Sequence, residues 1–323
     1  MLVISEAHAR ELVSVEDAIL EVERTFVSMA RGTARNFPVV REMVGYQDAV
    51  YGVKSGGDVV APLLGLKAGG YWPNNAGKGL GNHQSSTLLF DPETGRATAL
   101  VSANYLTGIR TGAASAIATR YLSHQDASVV GLIGTGVQAE YQLKASMAVR
   151  DLERVHAWSP SAESLEAFGK LVVGLGLDYV AEPDPEAVAR HSDILITVTP
   201  SRKALVERGW VKPGTHINAM GCDTRGKQEL APELVAASAL FVDEAEQAVS
   251  IGEFQHAYAR GLITTENLRG SIGQVIEGQC DGRRDADEVT IFDGTGVALQ
   301  DLVVARLAVR LATERGLGMS VDY

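Results

Sequence analysis

A small set of charged residues and one glycine turn hold the chemistry open to this chain. Arg41, Lys54 and Lys67 interrupt the strand-like runs VVREMV, AVYGVKS and LLGLKAGGYW, so none lies in a polar loop. A strand lysine usually lines a solvated face. Lys67 departs from that pattern because Leu66 and the Gly69-Gly70 pair flank it, and small residues leave room for something other than side chains. Arg110 lies in GIRTGAASAIA, among Gly108, Thr111, Gly112, Ser115 and Ala118. Those neighbours suit a guanidinium fork presented to a carboxylate, worth about 1.5–3 kcal/mol when partly desolvated; the alternative is a plain surface charge. Asp223 follows an apolar run in GCDTRGKQEL. It is either a turn former or a group at the carboxyl end of a strand, where open α/β folds place their ligands.

The glycine turn lies in VVGLIGTGVQAEYQLKASMAV, residues 129–149. A buried strand turns sharply at Gly134. At Gly136 the missing side chain lets a pyrophosphate approach the backbone, and Ala139 is small enough for the next helix to pack on the strand. The N–H groups of that helix start would face the phosphates. The alternative is an ordinary tight βα turn.

The elements that must position these groups follow from periodicity. Ser14 and Asp17 start a helix whose Val15, Ile19, Val22, Phe26 and Met29 share one face, and Gly32 ends it. Residues 37–91 read as short strands separated by glycines, with a loop from Pro73 to Gly81 beside a possible ligand entry and a hairpin turn at Asp91–Gly95. A helix over Asn104–Leu122 carries Arg110 on a stripe of small residues. Two glycines inside a helix, each costing about 1 kcal/mol against alanine, imply a close neighbour.

Beyond the glycine turn, strands are expected at 154–158, 179–181, 194–199, 215–220 and 240–242, with helices at 162–173 and 185–190. This βαβ rhythm predicts an α/β fold with a doubly wound parallel sheet of Rossmann type. At the end of the second strand, His156-Ala157-Trp158-Ser159 offers neither an acid for ribose hydroxyls nor an arginine for a 2′-phosphate. NAD is therefore the expected cofactor, with NADP not excluded. Phe292–Gly296 either caps the nicotinamide end or forms a hinge before a last helix, about Ala298 to Gly316.

Whole-chain numbers narrow the partners. At 323 residues the chain has room for two domains, and 46% hydrophobic with 21% charged residues is a globular composition. A net charge of −11 argues against nucleic acid or an anionic membrane as the main partner. No apolar run reaches spanning length, and the N-terminus lacks a basic-then-apolar leader pattern. Cys222 and Cys280, far apart, fit a reducing cytoplasm and give no metal pattern; the seven histidines form no ligand spacing, so no metal is expected.

Taken together, Lys67 in GLKAGG, Arg110 in GIRTGAASA, Gly134–Ala139, Asp223 in GCDTRGKQEL and residues 296–301 in GVALQD resemble the ornithine cyclodeaminase and mu-crystallin family, in order over nearly the whole chain. The resemblance implies a cofactor domain over 123–300. It also implies a β-rich substrate and dimerisation domain, 1–122 plus 301–323, and hence a homodimer. It implies a small α-amino or α-imino acid substrate, with Arg41, Lys67 and Arg110 on its carboxylate and Asp223, with Lys67, as the catalytic groups. Expected cofactor contacts are Arg110 and Thr111 on the helix, Gly134, Thr135, Gly136, Val137 and Gln138 at the turn, and Ser159 after the next strand. Thr197, Val198, Thr199, Met220, Gly221, Asp293 and Gly294 complete that set.

By spacing from Lys67, Lys54 falls where the cyclodeaminases of the family carry a glutamate facing the far end of the substrate. A lysine there repels the side-chain ammonium of ornithine by about 4 kcal/mol at about 4 Å and an effective dielectric near 20. It also offers a cation to a second carboxylate. The expected reaction is reduction of a dicarboxylic imine, iminosuccinate to L-aspartate being the smallest natural example, and the chain as a whole is similar to the family members that carry it out. Alanine dehydrogenase, cyclic ketimine reductase, ornithine cyclodeaminase and a mu-crystallin-like binding protein are the alternatives.

Overall fold

A computed structural model describes residues 1–322, with Ala76 described by its backbone alone. The chain forms two compact units, Met1–Arg110 with Val297 onward, and Thr111–Gly296. It opens with β1 (Leu2–Ile4), α1 (Glu6–Leu12), α2 (Val15–Ala30), β2 (Ala34–Asn36), β3 (Val40–Met43), β4 (Val50–Asp58), β5 (Leu63–Tyr71), β6 (His83–Phe90) and β7 (Ala97–Ser102). The division between units falls within α3 (Asn104–Leu122). Next come β8 (Val129–Ile133), α4 (Val137–Met147), β9 (Arg154–Trp158), α5 (Ala162–Gly174), β10 (Asp178–Ala181), α6 (Pro185–His191) and β11 (Ile194–Thr197). Then follow β12 (Arg202–Val206), β13 (His216–Ala219), β14 (Gln228–Leu230), α7 (Pro232–Ala236), β15 (Ala239–Val242), α8 (Ala245–Ser250) and α9 (Gln255–Ala259). β16 (Leu268–Ser271), α10 (Ile272–Ile276), β17 (Thr290–Asp293), α11 (Ala298–Arg315) and β18 (Met319–Ser320) complete the chain.

The first unit is a mixed sheet in the order β18-β1-β7-β6-β5-β4-β2, with β3 also on β4. Its register opposes Lys54 to Lys67 and Lys67 to Thr87, so these three share one face across β4, β5 and β6. The same face carries Gly56 and Gly65, two residues from Lys54 and Lys67 respectively, and α11 packs there. A Cβ on Gly65 would meet Leu302 Cδ2 at 2.9 Å, and one on Gly56 would meet Leu299 Cδ2 at 3.3 Å. Absent side chains thus let a helix descend onto the sheet beside the lysines. α11 is buried around most of its circumference, including Gln300 and Asp301, and ends at Gly316 in the left-handed conformation (φ 65°).

Two readings change here. The Gly69-Gly70 pair leaves no room for a ligand: a Cβ would lie 2.2 Å from Gln84 O at Gly69 and 1.8 Å from Val50 O at Gly70, so neighbouring backbone fills the space. The first helix is preceded by α1, which the apolar spacing did not reveal. Ser14 does cap α2, accepting from Asp17 N at 3.1 Å, but Asp17 returns to the Ser14 hydroxyl (2.7 Å) rather than to its backbone.

The second unit is a parallel sheet in the order β10-β9-β8-β11-β13-β17-β15-β16, with β12 and β14 paired separately. Strand order reverses between β8 and β11, the switch point where doubly wound sheets bind ligands. Register aligns Trp158, Ile133, Thr197, Ala219 and Asp293 along one carboxyl edge. The strands expected to reach Thr199 and Met220 stop at Thr197 and Ala219, because Thr199 N turns away to the Glu229 carboxylate. Apolar residues including Ile133, Leu195, Ile217, Leu240 and Phe254 form the core, each contributing about 1.5–3 kcal/mol on burial. Within α3, Gly112 lets α4 approach until a Cβ would stand 2.5 Å from Tyr141 O.

Candidate active site

In the first unit the cations gather around one carboxylate. Lys67 Nζ donates to Asp301 Oδ1 at 2.9 Å and to Thr107 Oγ1 at 3.3 Å. Arg110 Nε donates to the same Asp301 oxygen at 2.9 Å, and its Nη1 to Gln300 Oε1 at 2.9 Å. Lys54, Lys67 and Arg110 are each at most 9% exposed, and Asp301 is 2% exposed. Arg41 is half-buried on β3 opposite Gly52; its Cγ would lie 3.8 Å from a Cβ there, which places its stem on the Lys54 face. Asp301 Oδ2 and Gln300 Nε2 are buried with no hydrogen-bond partner among the described residues.

The electrostatics follow from burial. Desolvation pushes Lys67 down to about 7, and the charges of Arg110 and Lys54 press the same way against the pull of Asp301. For Asp301, burial works to raise the carboxyl, yet Arg110, Lys67 and Lys54 together hold it below its usual range. Lys67 and Arg110 thus share one oxygen of a buried carboxylate, and Lys54 stands beside Lys67 in register.

In the second unit, Gly134 (φ 100°) makes the turn after β8; a Cβ would meet Thr199 Cγ2 and Val198 O, each at 2.8 Å. Gly136 caps α4 without a side-chain hydrogen bond and faces open space, and Val137 is 81% exposed. Gln138 Oε1 is buried without a hydrogen-bond partner among the described residues. Beside the turn, Thr135 shares a hydrogen bond with Ser164 (2.9 Å), and Ser164 another with Ser159 (3.1 Å). An uncapped helix start over an open glycine suits a pyrophosphate, and the hydroxyl chain suits a ribose where the usual acid is missing. The donor set fits a dinucleotide.

Of the other expected residues, Thr197 donates its hydroxyl to Glu229 (2.9 Å), and Thr199 Oγ1 accepts from Ser201 N (3.2 Å). Val198 is half-buried, Met220 and Thr111 are buried, and Gly221 begins the turn after β13. Gly294 lies against Met220, whose sulfur would be 2.5 Å from a Cβ there. The Asp293 side chain is fully buried, with Oδ2 accepting from Phe254 N at 3.3 Å, and burial followed by the Asp243 and Glu253 charges raises it well above its usual range. Asp223 is half-buried, accepting from Lys227 Nζ at 2.8 Å and Thr224 Oγ1 at 3.0 Å.

Spacing concealed several partners. Asp301 and Gln300 sit in a helix start whose burial no amphipathic pattern announced. Glu229 and Glu253 are fully buried carboxylates, both pushed up by burial, and the rise of Glu253 is increased by Glu229. His156 and His191, unrelated by spacing, stack at 4.7 Å with Glu182 beside both. Ala187 O lies 2.7 Å from His191 Nδ1.

A dinucleotide-type parallel sheet joined to a sheet with a buried cation cradle defines the class. The chain belongs to the ornithine cyclodeaminase/mu-crystallin family, whose model matches residues 1–315. It is 48% identical to the iminosuccinate reductase of Paracoccus denitrificans over 322 residues, covering all of both chains. The crystal structure of that reductase in complex with NAD+ superposes with a TM-score of 0.95, covering 100% of this chain and 99% of the other. The Archaeoglobus fulgidus alanine dehydrogenase is 37% identical, covering 100% of this chain and 98% of that one. The Thermococcus litoralis Delta(1)-pyrroline-2-carboxylate reductase, solved with NADH and L-proline, is 32% identical with a TM-score of 0.95, covering 99% of this chain and 100% of the other.

Proposed function

We propose that the chain is a nicotinamide-dependent reductase of a small α-imino acid, converting iminosuccinate to L-aspartate with NAD as its cofactor. The observation that carries this reading is the buried row of Lys54 and Lys67, joined by Arg110, at the carboxylate of Asp301. Buried cations gathered at one place suit a ligand that brings carboxylates to them, since charge-assisted hydrogen bonds strengthen away from water. Arg41, Lys67 and Arg110 take the α-carboxylate, and Lys54 takes the second. The full-length similarity to an iminosuccinate reductase points the same way.

The bound reduced cofactor supplies the hydride. The backbone at Gly134, Thr135, Gly136 and Val137 receives the pyrophosphate, with Gln138 beside it, and Thr135 and Ser159 face ribose hydroxyls. The turns at Thr197–Thr199 and Met220–Gly221, with Asp293 and Gly294, border the nicotinamide, and Arg110 and Thr111 approach it from the helix. Asp223 holds a proton at the imine nitrogen, which makes the imine carbon a better hydride acceptor. Orientation and electrostatics are the protein's contribution. The proposal includes a homodimer, as the archaeal alanine dehydrogenase solved with NAD is described, and a reducing cytoplasm, in keeping with the free cysteines Cys222 and Cys280.

The test follows NADH oxidation at 340 nm with oxaloacetate plus ammonium, compared with pyruvate plus ammonium, alongside ornithine plus NAD assayed for ammonia. Oxidation with the dicarboxylic pair alone is expected. Preference for pyruvate would make the protein an alanine dehydrogenase, and ammonia from ornithine would make it a cyclodeaminase.

A further inference from the structure

Two turns at the carboxyl edge of the parallel sheet are tied together by one buried side chain. Glu229 Oε1 accepts from Thr199 N at 2.6 Å, in the turn after β11. Its Oε2 accepts from Gly221 N at 3.0 Å, in the turn after β13, and from Thr197 Oγ1 at 2.9 Å. The turns approach so closely that a Cβ on Gly221 would stand 2.4 Å from Thr199 O and 2.5 Å from Glu229 Oε2. The backbone of Glu229 is held in turn: Glu253 accepts from Glu229 N (3.0 Å), Leu230 N (2.6 Å) and Cys222 Sγ (2.7 Å). Each carboxylate oxygen of the pair thus faces an N–H, O–H or S–H donor. That is the chemistry of a clamp and the opposite of a cation site, although Cys222, Glu229 and Glu253 lie close enough to suggest one.

We infer that Glu229 is a positioning residue that clamps the turn at Thr199 to the turn at Gly221, fixing the two walls proposed to border the nicotinamide and anchoring the start of the Asp223 turn. Lys227 reinforces the same turn, donating to Gly221 O (3.1 Å) and to Asp223. A carboxylate is required because donors address both oxygens; an amide would set its NH2 against at least one of them. The ligand side of this inference rests on the reductase reading, whereas the clamp belongs to the protein alone.

The experiment compares the parent with Glu229→Gln. Amide exchange is read by mass spectrometry without cofactor, NADH affinity by fluorescence, and kcat and KM with the imine. Protection at Thr199 and Gly221 is expected to fall about tenfold or more and the NADH Kd to rise about tenfold, while exchange elsewhere stays at the parent level. Protection and Kd within twofold of the parent would overturn the inference. If E229Q does not fold, Glu253→Gln decides: weakened NADH binding with faster exchange at Gly221 supports the clamp, and unchanged values reject it. A parent that neither binds NADH nor reduces an imine would reject the reductase reading, while exchange at Thr199 and Gly221 would still decide the clamp.

Discussion

Arg110 Nε and Asp301 Oδ1 meet at 2.9 Å although 191 positions separate them, and the same oxygen receives Lys67. One buried carboxylate therefore aims two cations. Asp301→Asn removes the anion while keeping an acceptor. Lys67 then loses the partner that sustains its charge, and Arg110 loses the anchor of its Nε. We expect KM for the imino acid to rise about tenfold or more with a smaller loss in kcat, and stability to fall by about 3–5 kcal/mol, the usual cost of orphaning a buried charge. Steady-state kinetics and denaturant melts check this; a variant with parental KM would remove Asp301 from the cradle.

Lys67 gives the cradle a pH dependence. Burial lowers its value to about 7, so the ligand-free protein sheds that proton as pH rises through neutrality. A bound carboxylate favours the charged form, so binding is strongest below about 7 and weakens above it by up to tenfold per pH unit. The inhibition constant of succinate, a dicarboxylate that needs no imine chemistry, is the measurement, and Lys67→Met is expected to abolish the dependence. The same depressed value means that the folded state holds fewer protons than the unfolded one between about 7 and 10.5, so this group makes stability rise with pH in that window.

The sequence made much of the fold legible because βα alternation is a local pattern, and the turn at Gly134 to Ala139 needs no distant residue to be recognised. The cations were visible as charges in apolar strands. Their partners were not, because Asp301 and Gln300 reach them through a helix that lands on Gly56 and Gly65 from the far end of the chain. Glycines also misled: Gly69 and Gly70 read as space, yet adjacent backbone occupies it. Glu229 was hidden because a buried carboxylate inside a charged turn looks like any solvated one until its donors are known.

Asp223 is expected to act on turnover more than on affinity. Its carboxylate is half-buried and held by Lys227 and Thr224, an arrangement that keeps it oriented until a substrate nitrogen competes for it. Asp223→Asn keeps the shape and removes the proton-carrying ability. A loss of about 10²–10⁴ in kcat with KM changed little is the expected outcome. Near-normal turnover would remove the acid/base assignment.

Lys54 separates dicarboxylic from monocarboxylic substrates. It lies beside Lys67 in register, so its ammonium can serve a carboxylate that the first cation leaves free. Lys54→Met is expected to lower kcat/KM for oxaloacetate plus ammonium by about 10–100-fold, the worth of one charge-assisted hydrogen bond of about 1.5–3 kcal/mol. Activity with pyruvate plus ammonium is expected to change less than about threefold. Equal losses with both would show that Lys54 serves the shared carboxylate.

Gly112 tests the packing that supports the helix bearing Arg110. Helix propensity alone favours Gly112→Ala by about 1 kcal/mol. Packing opposes it, because the new methyl would stand 2.5 Å from Tyr141 O and 3.2 Å from Ala145 Cβ. The first neighbour is helical backbone and cannot swing away, so the overpacking cost of about 1–3 kcal/mol outweighs the propensity gain. A fall in Tm of about 2–6 °C is expected. Gly174, at the end of α5 with nothing within 4 Å of a Cβ, supplies the opposite case. Gly174→Ala is expected to hold or raise Tm, since only the propensity and unfolded-state entropy terms act there. The sign difference between the two substitutions is the decisive reading: if Gly112→Ala melts at or above the parent, α4 does not press on α3 at that position.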